Sequence, residues 1–191
     1  MAQEVVLVRH GETEWSRTLR HTGRTDEPLT DLGRRQAELV GAALRERSFA
    51  LVLTSPLQRA AETCRLAGFG MVAQPRDDLM EWDYGDYEGR TTEEIRKEVP
   101  GWTVFSGGVP NGETIEQVAA RADRVIAEAR GAPGDVLLFA HGHVLRILAV
   151  RWLGLEPETA RLLALDSATL SSLGYDRETA VIRFWNLRVG G

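Results

Sequence analysis

Residues 5–16 are VVLVRHGETEWS, and this stretch determines how the rest of the chain is interpreted. Its first part, Val5–Val8, is apolar and mostly β-branched, which predicts a short buried strand. The strand stops at a charged pair, Arg9 and His10, and Gly11 follows, where the lack of a side chain permits close approach. Open α/β sheets bind ligands at the carboxyl ends of their strands, so we expect the pair at the floor of a pocket.

The pair of Arg9 and His10 suggests a particular chemistry. A neutral imidazole is a good nucleophile near neutral pH, because its unperturbed pKa is about 6.5. An arginine beside it can hold a phosphoryl group by two charge-assisted hydrogen bonds. The pair therefore suggests that His10 attacks phosphorus and forms a phosphohistidine. The alternative is that His10 only satisfies a turn at the end of the strand.

A second apolar run, residues 135–140, ends in the same way, because His141, Gly142 and His143 follow it. Parallel strands bring their carboxyl ends together, so we expect His10 and His141 to lie close to each other. A helix is predicted from Val144 to Leu153, and its N-terminus would also point at the pocket. His-Gly-His could instead form a metal site with His10 and His21, although the neighbouring arginines would repel a cation.

A third buried strand is predicted over residues 50–55, and it leads into a helix that carries Arg59. Ser55 as N-cap and Pro56 at the first helical position would give this helix a well-formed start. Free N–H groups and the helix dipole favour an anion at that end, and Arg59 adds a full positive charge. The alternative is that Arg59 is a solvated surface residue.

The remaining segments complete an alternating pattern of strands and helices. Turn formers predict a loop over residues 21–30, and aromatic residues in the loop 101–112, Trp102 and Phe105, suggest a lid that walls a substrate pocket. The other predicted helices cover residues 32–47, capped by Thr30 or Asp31, 91–99, 113–130 and about 158–165; the other strands cover 71–73, 169–175 and 180–187, with a hairpin turn at 176–179. The pattern predicts an α/β fold, a three-layer sandwich whose mostly parallel central sheet is flanked by helices.

Composition limits the classes of function. The 191 residues fit a single domain, residues 1–191, and 43% hydrophobic with 27% charged residues is ordinary for a globular protein. The net charge of −5 excludes a global basic field for nucleic acid or an anionic membrane. One cysteine, no basic-then-apolar leader and no apolar run near ~20 residues suggest a cytoplasmic protein without membrane partners. We expect a monomer or a homodimer.

Five short segments resemble the signature of the histidine phosphatase superfamily, in its phosphoglycerate mutase-like branch. The segments are RHGETEWS at 9–16, HTG at 21–23, SPLQRAAETC at 55–64, LMEWDYGDYEG at 79–89 and HGH at 141–143. They occur in the order and at the spacing of the family, and together they span nearly the whole chain. Two positions depart from the family pattern: Ser16 and His143 both stand where asparagine is usual.

The resemblance implies roles for individual residues. Arg9, Arg59 and His141 would contact the phosphoryl oxygens around the nucleophile His10, and Glu81 would be the proton donor. A carboxyl group among aromatic neighbours can have a raised pKa and keep its proton near neutral pH. Asp83 and Glu88 compete for that role, although Glu88 is also interpreted as a brace of its loop. The other residues that we expect to contact substrate are Ser16, Thr22, Gly23, Tyr84 and Gly142.

The resemblance favours a phosphatase that hydrolyses a small phosphorylated metabolite through a phosphohistidine. Its segments are most similar to those of the sedoheptulose-1,7-bisphosphatase and acid phosphatase subgroup. The alternatives are phosphoryl transfer of the phosphoglycerate mutase type and non-catalytic binding of a phosphorylated ligand. We expect no metal ion and no cofactor, because arginine and histidine supply the positive charge.

Overall fold

A six-stranded sheet forms the centre of the computed structural model, which describes residues 3–190. The strands are β1 (Val5–Arg9), β2 (Leu51–Thr54), β3 (Gln74–Pro75), β4 (Val136–Ala140), β5 (Thr169–Asp176) and β6 (Thr179–Arg188). Their order across the sheet is β3-β2-β4-β1-β5-β6. The strands β1 to β4 are parallel, whereas β5 and β6 run antiparallel at one side. The mostly parallel sheet with an antiparallel hairpin is confirmed.

Helices cover both faces of this sheet. They are α1 (Glu14–Arg17), α2 (Asp31–Leu44), α3 (Gln58–Leu66), α4 (Thr92–Glu98), α5 (Ile115–Gly131) and α6 (Gly142–Trp152), with 3₁₀ turns at 77–79, 85–87 and 157–162. Alternate side chains of β1 point to opposite faces, as they must in a strand. Val5 and Leu7 pack in one core cluster with α5 and α6, and Val6 and Val8 pack in another with α2 and α3. The three-layer architecture is therefore confirmed.

No helix in residues 3–190 is both long enough and apolar enough to cross a membrane. The longest, α5, has 17 residues and places polar side chains on its outer face.

Two predicted helix starts are confirmed. Thr30 caps α2, and its side chain accepts a hydrogen bond from the backbone N–H of Gly33. Thr91 and Glu94 form a capping box at the start of α4, where each side chain accepts from the other's backbone N–H. The open choice between Thr30 and Asp31 is thereby decided in favour of Thr30.

The predicted start of α3 was wrong by two residues. The helix begins at Gln58, Leu57 is its N-cap, and no side chain caps it. The Ser55 hydroxyl instead accepts from the backbone N–H of Leu57 at 3.3 Å and lies 2.8 Å from Nε2 of His141. Ser55 and Pro56 therefore belong to the turn after β2, and Ser55 serves the site.

The strand predicted at residues 71–73 was also wrong. Met71 is 98% exposed and lies in a turn after α3. The edge strand β3 comes immediately afterwards, where Gln74 and Pro75 pair with Leu53 and Thr54 of β2. A three-residue apolar run is too short to show which residues reach the sheet edge. The hairpin turn is likewise shorter than predicted, because β5 and β6 extend to Asp176 and Thr179.

A contact between two glycines fixes the loop that follows β1. A Cβ on Gly11 would lie 2.4 Å from the carbonyl oxygen of Gly33, at the start of α2. A Cβ on Gly33 would lie 2.2 Å from the carbonyl oxygen of Glu12. Neither position has room for a side chain, so the two backbones approach as closely as they do only because both residues are glycine.

Candidate active site

The carboxyl ends of β1 and β4 bring two histidines together. The strands are parallel neighbours with Arg9 opposite Ala140, and the backbone N–H of His10 donates to the carbonyl of Ala140 at 3.0 Å. His10 follows β1 and His141 follows β4, and the centroids of their rings are 5.1 Å apart. The expected proximity of these two residues is confirmed.

The hydrogen bond of His10 determines which ring nitrogen is free. Its Nδ1 lies 2.7 Å from the carbonyl oxygen of Gly11, which can only accept, so Nδ1 carries the proton. Burial lowers the pKa of His10 well below its ordinary value, and the charges of Arg59 and Arg9 lower it further. The imidazole is therefore neutral at neutral pH, with the unshared electron pair on Nε2.

A small cavity of about 90 Å³ lies in front of His10. Seven of the residues expected from the sequence line it: Arg9, His10, Ser16, Thr22, Glu81, Tyr84 and Gly142. Five further residues line it: Arg20, His21, His143, Arg146 and Leu165, of which His21 and His143 were expected near His10 only in the metal alternative. Of these, Arg146 could have been found, because it lies four residues after Gly142 on α6 and so on the same helix face.

Arg9 presents an unsatisfied donor beside this cavity. Its Nη1 donates to the carbonyl of Leu165 at 2.5 Å, whereas its buried Nε has no hydrogen-bond partner among residues 3–190. Burial lowers the pKa of Arg9, although the nearby charge of Glu81 opposes this. Buried donors are rarely left unpaired, so Arg9 is suited to bind an anionic oxygen in the cavity.

Arg59 does not line the cavity. It is fully buried, and its guanidinium donates to the carbonyls of Thr22, Gly23 and Thr25 at 3.1, 2.8 and 2.9 Å. Its Nε donates to Nδ1 of His141 at 3.1 Å. In this arrangement Arg59 holds the loop 22–25 in place. Its contact with a phosphoryl group stays a prediction.

Both ring nitrogens of His141 make hydrogen bonds within the protein. Because Nδ1 accepts from Arg59, the proton is on Nε2, which donates to the hydroxyl of Ser55 at 2.8 Å. Burial, followed by the charges of Arg59 and the neighbouring His10, lowers the pKa of His141 well below its ordinary value. His141 is thus a neutral group that orders the wall behind His10, and a direct contact with substrate stays a prediction.

The loop with Thr22 and Gly23 is braced by Glu88. The backbone N–H groups of Gly23 and Thr25 donate to Oε1 of Glu88 at 2.8 and 3.0 Å, so Glu88 is a brace, but of this loop and not, as predicted, of its own. Because Arg59 takes its carbonyl and Glu88 its N–H, Gly23 has no free backbone group for substrate. Thr22 lines the cavity directly.

Glu81 is held by three backbone donors. Oε1 accepts from Trp82 at 3.0 Å and from Val144 at 2.9 Å, and Oε2 accepts from His143 at 2.9 Å. Burial alone would raise the pKa of Glu81, but the adjacent side chain of His143, the neighbouring His141 and the backbone N–H of His143 hold it well below its usual range. The expected rise of this pKa was therefore wrong, because the N-terminus of α6 supplies donors that outweigh the apolar neighbours.

Two other polar residues have local structural roles. Asp83, the competing proton donor, does not line the cavity; it accepts from the backbone N–H of Gly85 and lies 3.9 Å from Arg24. The hydroxyl of Ser16 is engaged in a capping box with Thr13 at the start of α1. Ser16 still borders the cavity, but its hydroxyl is already used within the protein.

The loop 101–112 does not wall the cavity as expected. Trp102 and Phe105 are buried in the core cluster of α5 and α6. The ring of Trp102 packs against His21, and the ring of Phe105 packs against His143, each with centroids 5.3 Å apart. The loop thus supports the site from behind, because its large apolar rings are more stable in the core than in a polar pocket.

The metal alternative finds no matching geometry in residues 3–190. No three histidine, cysteine, aspartate or glutamate residues within that range are grouped so that they could hold a metal ion. Nδ1 of His143 faces the hydroxyl of Tyr84, and Nε2 of His21 lies 3.2 Å from the hydroxyl of Thr92.

Fold and site together define an α/β protein with a neutral histidine at the end of a parallel strand, in a small cavity that arginine side chains also line. The family model of the histidine phosphatase superfamily (branch 1) matches residues 5–188, and the chain belongs to this superfamily.

Its relatives include several phosphatases. An acid phosphatase from Mycobacterium tuberculosis is 42% identical over 93% of this chain and 91% of its own length. A sedoheptulose 1,7-bisphosphatase from Saccharomyces cerevisiae is 37% identical over 78% of this chain and 67% of its own length. The solved structure of an open-reading-frame product from Mycobacterium tuberculosis has a TM-score of 0.93 at 39% identity, covering 97% of this chain and 98% of that one.

Proposed function

We propose that this chain, as a single domain over residues 1–191, is a phosphatase that hydrolyses a small phosphorylated metabolite through a phosphohistidine on His10. The observation that carries the proposal is the neutral His10, whose Nδ1 holds the ring proton and leaves Nε2 free, at a small cavity that Arg9 also lines. Membership of the superfamily and the names of the relatives support it.

The sizes of two adjoining cavities fit a phosphomonoester. The cavity of about 90 Å³ in front of His10 suits a phosphoryl group better than a whole sugar phosphate. A second cleft of about 690 Å³ has room for the leaving group and shares five lining residues with it: Arg9, Ser16, Arg20, His21 and His143. A separate cavity of about 290 Å³, beside Asp166 and Arg188, has no histidine in its lining.

In the first step Nε2 of His10 attacks phosphorus, and the bond to the leaving oxygen breaks as Glu81 protonates that oxygen. The positive charge of Arg9 stabilises the negative charge on the non-bridging oxygens, and the buried positive charge of Arg59 adds to this stabilisation. In the second step Glu81 takes a proton from a water molecule, whose oxygen attacks phosphorus as the bond from phosphorus to Nε2 of His10 breaks. The proton on Glu81 leaves with the phosphate, and the carboxylate is restored. Arginine and histidine side chains provide the electrostatic stabilisation, so the mechanism needs no metal ion.

Trapping the phosphoenzyme tests the proposal. After a brief pulse with a ³²P-labelled phosphomonoester, acid-labile and alkali-stable label is expected on the peptide that contains His10. The chain has four histidines, so peptides with His21, His141 and His143 serve as internal controls. His10→Asn should abolish both the label and phosphate release. Label on another residue, or turnover without label, would contradict a His10 intermediate, whereas label that passes to a second metabolite instead of water would indicate a mutase.

A further inference from the structure

Glu81 has an uneven set of hydrogen bonds that indicates where it can carry a proton. A carboxylate oxygen has two acceptor positions, and backbone N–H groups can only donate. Oε1 already accepts from two of them, on Trp82 and Val144. Oε2 accepts from one, on His143. Oε2 is therefore the oxygen with room for a proton, and the three donors favour the ionised carboxylate.

The charged groups around Glu81 also favour the ionised form. The cations that interact with Glu81 come from three elements: Arg9 from β1, Arg59 from α3 and Arg146 from α6. The uncharged titratable groups that face it are His10, His21, Tyr84, His141 and His143. All the formal charges among these neighbours are positive, and they stabilise the ionised carboxylate of Glu81 in the free enzyme.

An ionised Glu81 poses a problem for the first step, because a carboxylate has no proton to give to the leaving oxygen. We propose that the substrate binds as its phosphate monoanion, and that the proton on its phosphoryl oxygen passes to Oε2 of Glu81 and then to the leaving oxygen. This inference rests on the proposed function and adds to it the ionic form of the substrate.

The proton balance is complete without a further reactant. The substrate arrives as R–O–PO₃H⁻, and its proton moves to Oε2 of Glu81. The bond from Nε2 of His10 to phosphorus forms, the bond from phosphorus to the leaving oxygen breaks, and the leaving oxygen takes the proton from Oε2 to give R–OH. Glu81 is then a carboxylate again. The carboxylate is the form that accepts a proton from water in the second step. Glu81 is therefore ionised at the start of both steps.

If the inference is correct, the second ionisation of the substrate, and not an ionisation of the enzyme, determines how kcat/KM falls at alkaline pH. The second pKa of a phosphomonoester is about 6. If the substrate supplies the proton, kcat/KM should fall about tenfold per pH unit above that value. We would compare ethyl phosphate with 2,2,2-trifluoroethyl phosphate, which has a similar shape and a lower second pKa. The midpoint of the fall should lie at lower pH for the trifluoroethyl ester, by the difference between the second pKa values of the two substrates. An identical midpoint for both would overturn the inference.

A second measurement does not depend on turnover. The carboxyl carbon of Glu81, ¹³C-labelled and assigned with Glu81→Gln, should show no protonation between pH 8 and pH 5 in the free protein. A titration within that range would overturn the inference even if the enzyme were active. Conversely, the absence of a His10 phosphoenzyme would refute the proposed function, while this measurement would still report the state of Glu81.

Discussion

The hydroxyl of Tyr84 lies 2.5 Å from Nδ1 of His143, at the wall of the cavity in front of His10. Burial, and then the charge of Glu81, raises the pKa of Tyr84 well above its ordinary value, so the hydroxyl keeps its proton and donates. Nδ1 of His143 is then the acceptor, and the ring proton is on Nε2. This hydrogen bond fixes the orientation of a histidine whose backbone N–H also holds Glu81.

Tyr84→Phe should lower the free energy of unfolding by about 1–3 kcal/mol, because it leaves the buried Nδ1 of His143 without a donor. Urea unfolding at pH 7.5 measures this loss. The matched control is Tyr175→Phe, which removes a hydroxyl that has no side-chain hydrogen bond in the described part of the chain and should change stability by less than about 0.5 kcal/mol. The ¹⁵N shifts of His143 should also show a mixture of tautomers in Tyr84→Phe. If the two variants behave alike, the hydrogen bond is not a structural constraint.

Arg59 and Arg65 are on the same helix but should respond very differently to substitution. Arg59→Met should lower the free energy of unfolding by at least about 3 kcal/mol, because three backbone carbonyls and Nδ1 of His141 lose their donor. Arg65 is 61% exposed and, within the described residues, pairs only with Glu62, so Arg65→Met should cost at most about 0.5 kcal/mol. Equal losses would mean that the buried hydrogen bonds of Arg59 contribute little. Both values come from urea titrations of the purified variants.

All four histidines should make the fold sensitive to mild acid. Burial lowers the pKa of each of them, in His21 to about 4. Below about pH 6.5 the unfolded chain binds protons that the folded chain does not, so stability is complete above that pH and falls as the pH decreases. Each such histidine contributes up to about 1.4 kcal/mol per pH unit. Unfolding free energies measured between pH 7.5 and pH 5 should show this fall.

The variant His21→Asn isolates one of these contributions. It removes a histidine that titrates in the unfolded chain and remains neutral in the fold, so the slope of stability against pH should become shallower. A slope identical to that of the wild type between pH 6.5 and pH 5 would show that His21 is protonated in the folded protein as well.

Removal of divalent cations should leave catalysis intact. The proposed mechanism places arginine side chains around the phosphoryl group, so dialysis against EDTA should change kcat by less than about twofold. The rate of phosphate release before and after dialysis is the measurement, and readdition of Mg²⁺ or Zn²⁺ is the control. Loss of activity that one of these ions restores would support the His-Gly-His metal alternative.

The sequence predicted those features that depend on neighbouring residues. The apolar runs before His10 and His141 predicted the two strands, and parallel pairing then required that their ends meet. The T-x-x-E pattern at Thr91 predicted a cap because both partners lie within four residues. The cap at Thr13 does not follow from this pattern, because Ser16 stands where the pattern has glutamate or glutamine.

The features that the sequence did not predict depend on residues distant in the chain. The aromatic neighbours of Glu81 are adjacent in sequence, whereas the N–H groups of His143 and Val144 that stabilise its charge are more than sixty residues away. The burial of Arg59 similarly depends on the carbonyls of the loop 22–25. This loop precedes β2 in the chain, whereas Arg59 follows it. Periodicity shows which face of a helix is apolar, but it does not show which carbonyls an arginine will meet.

The single free nitrogen of His10 has a stereochemical consequence. Because only Nε2 is available, both displacements at phosphorus would use the same atom of the protein, once as nucleophile and once as leaving group. Each in-line displacement inverts the arrangement of the oxygens. Two inversions restore it, so a phosphoryl group made chiral with oxygen isotopes and passed to an alcohol acceptor would keep its original handedness.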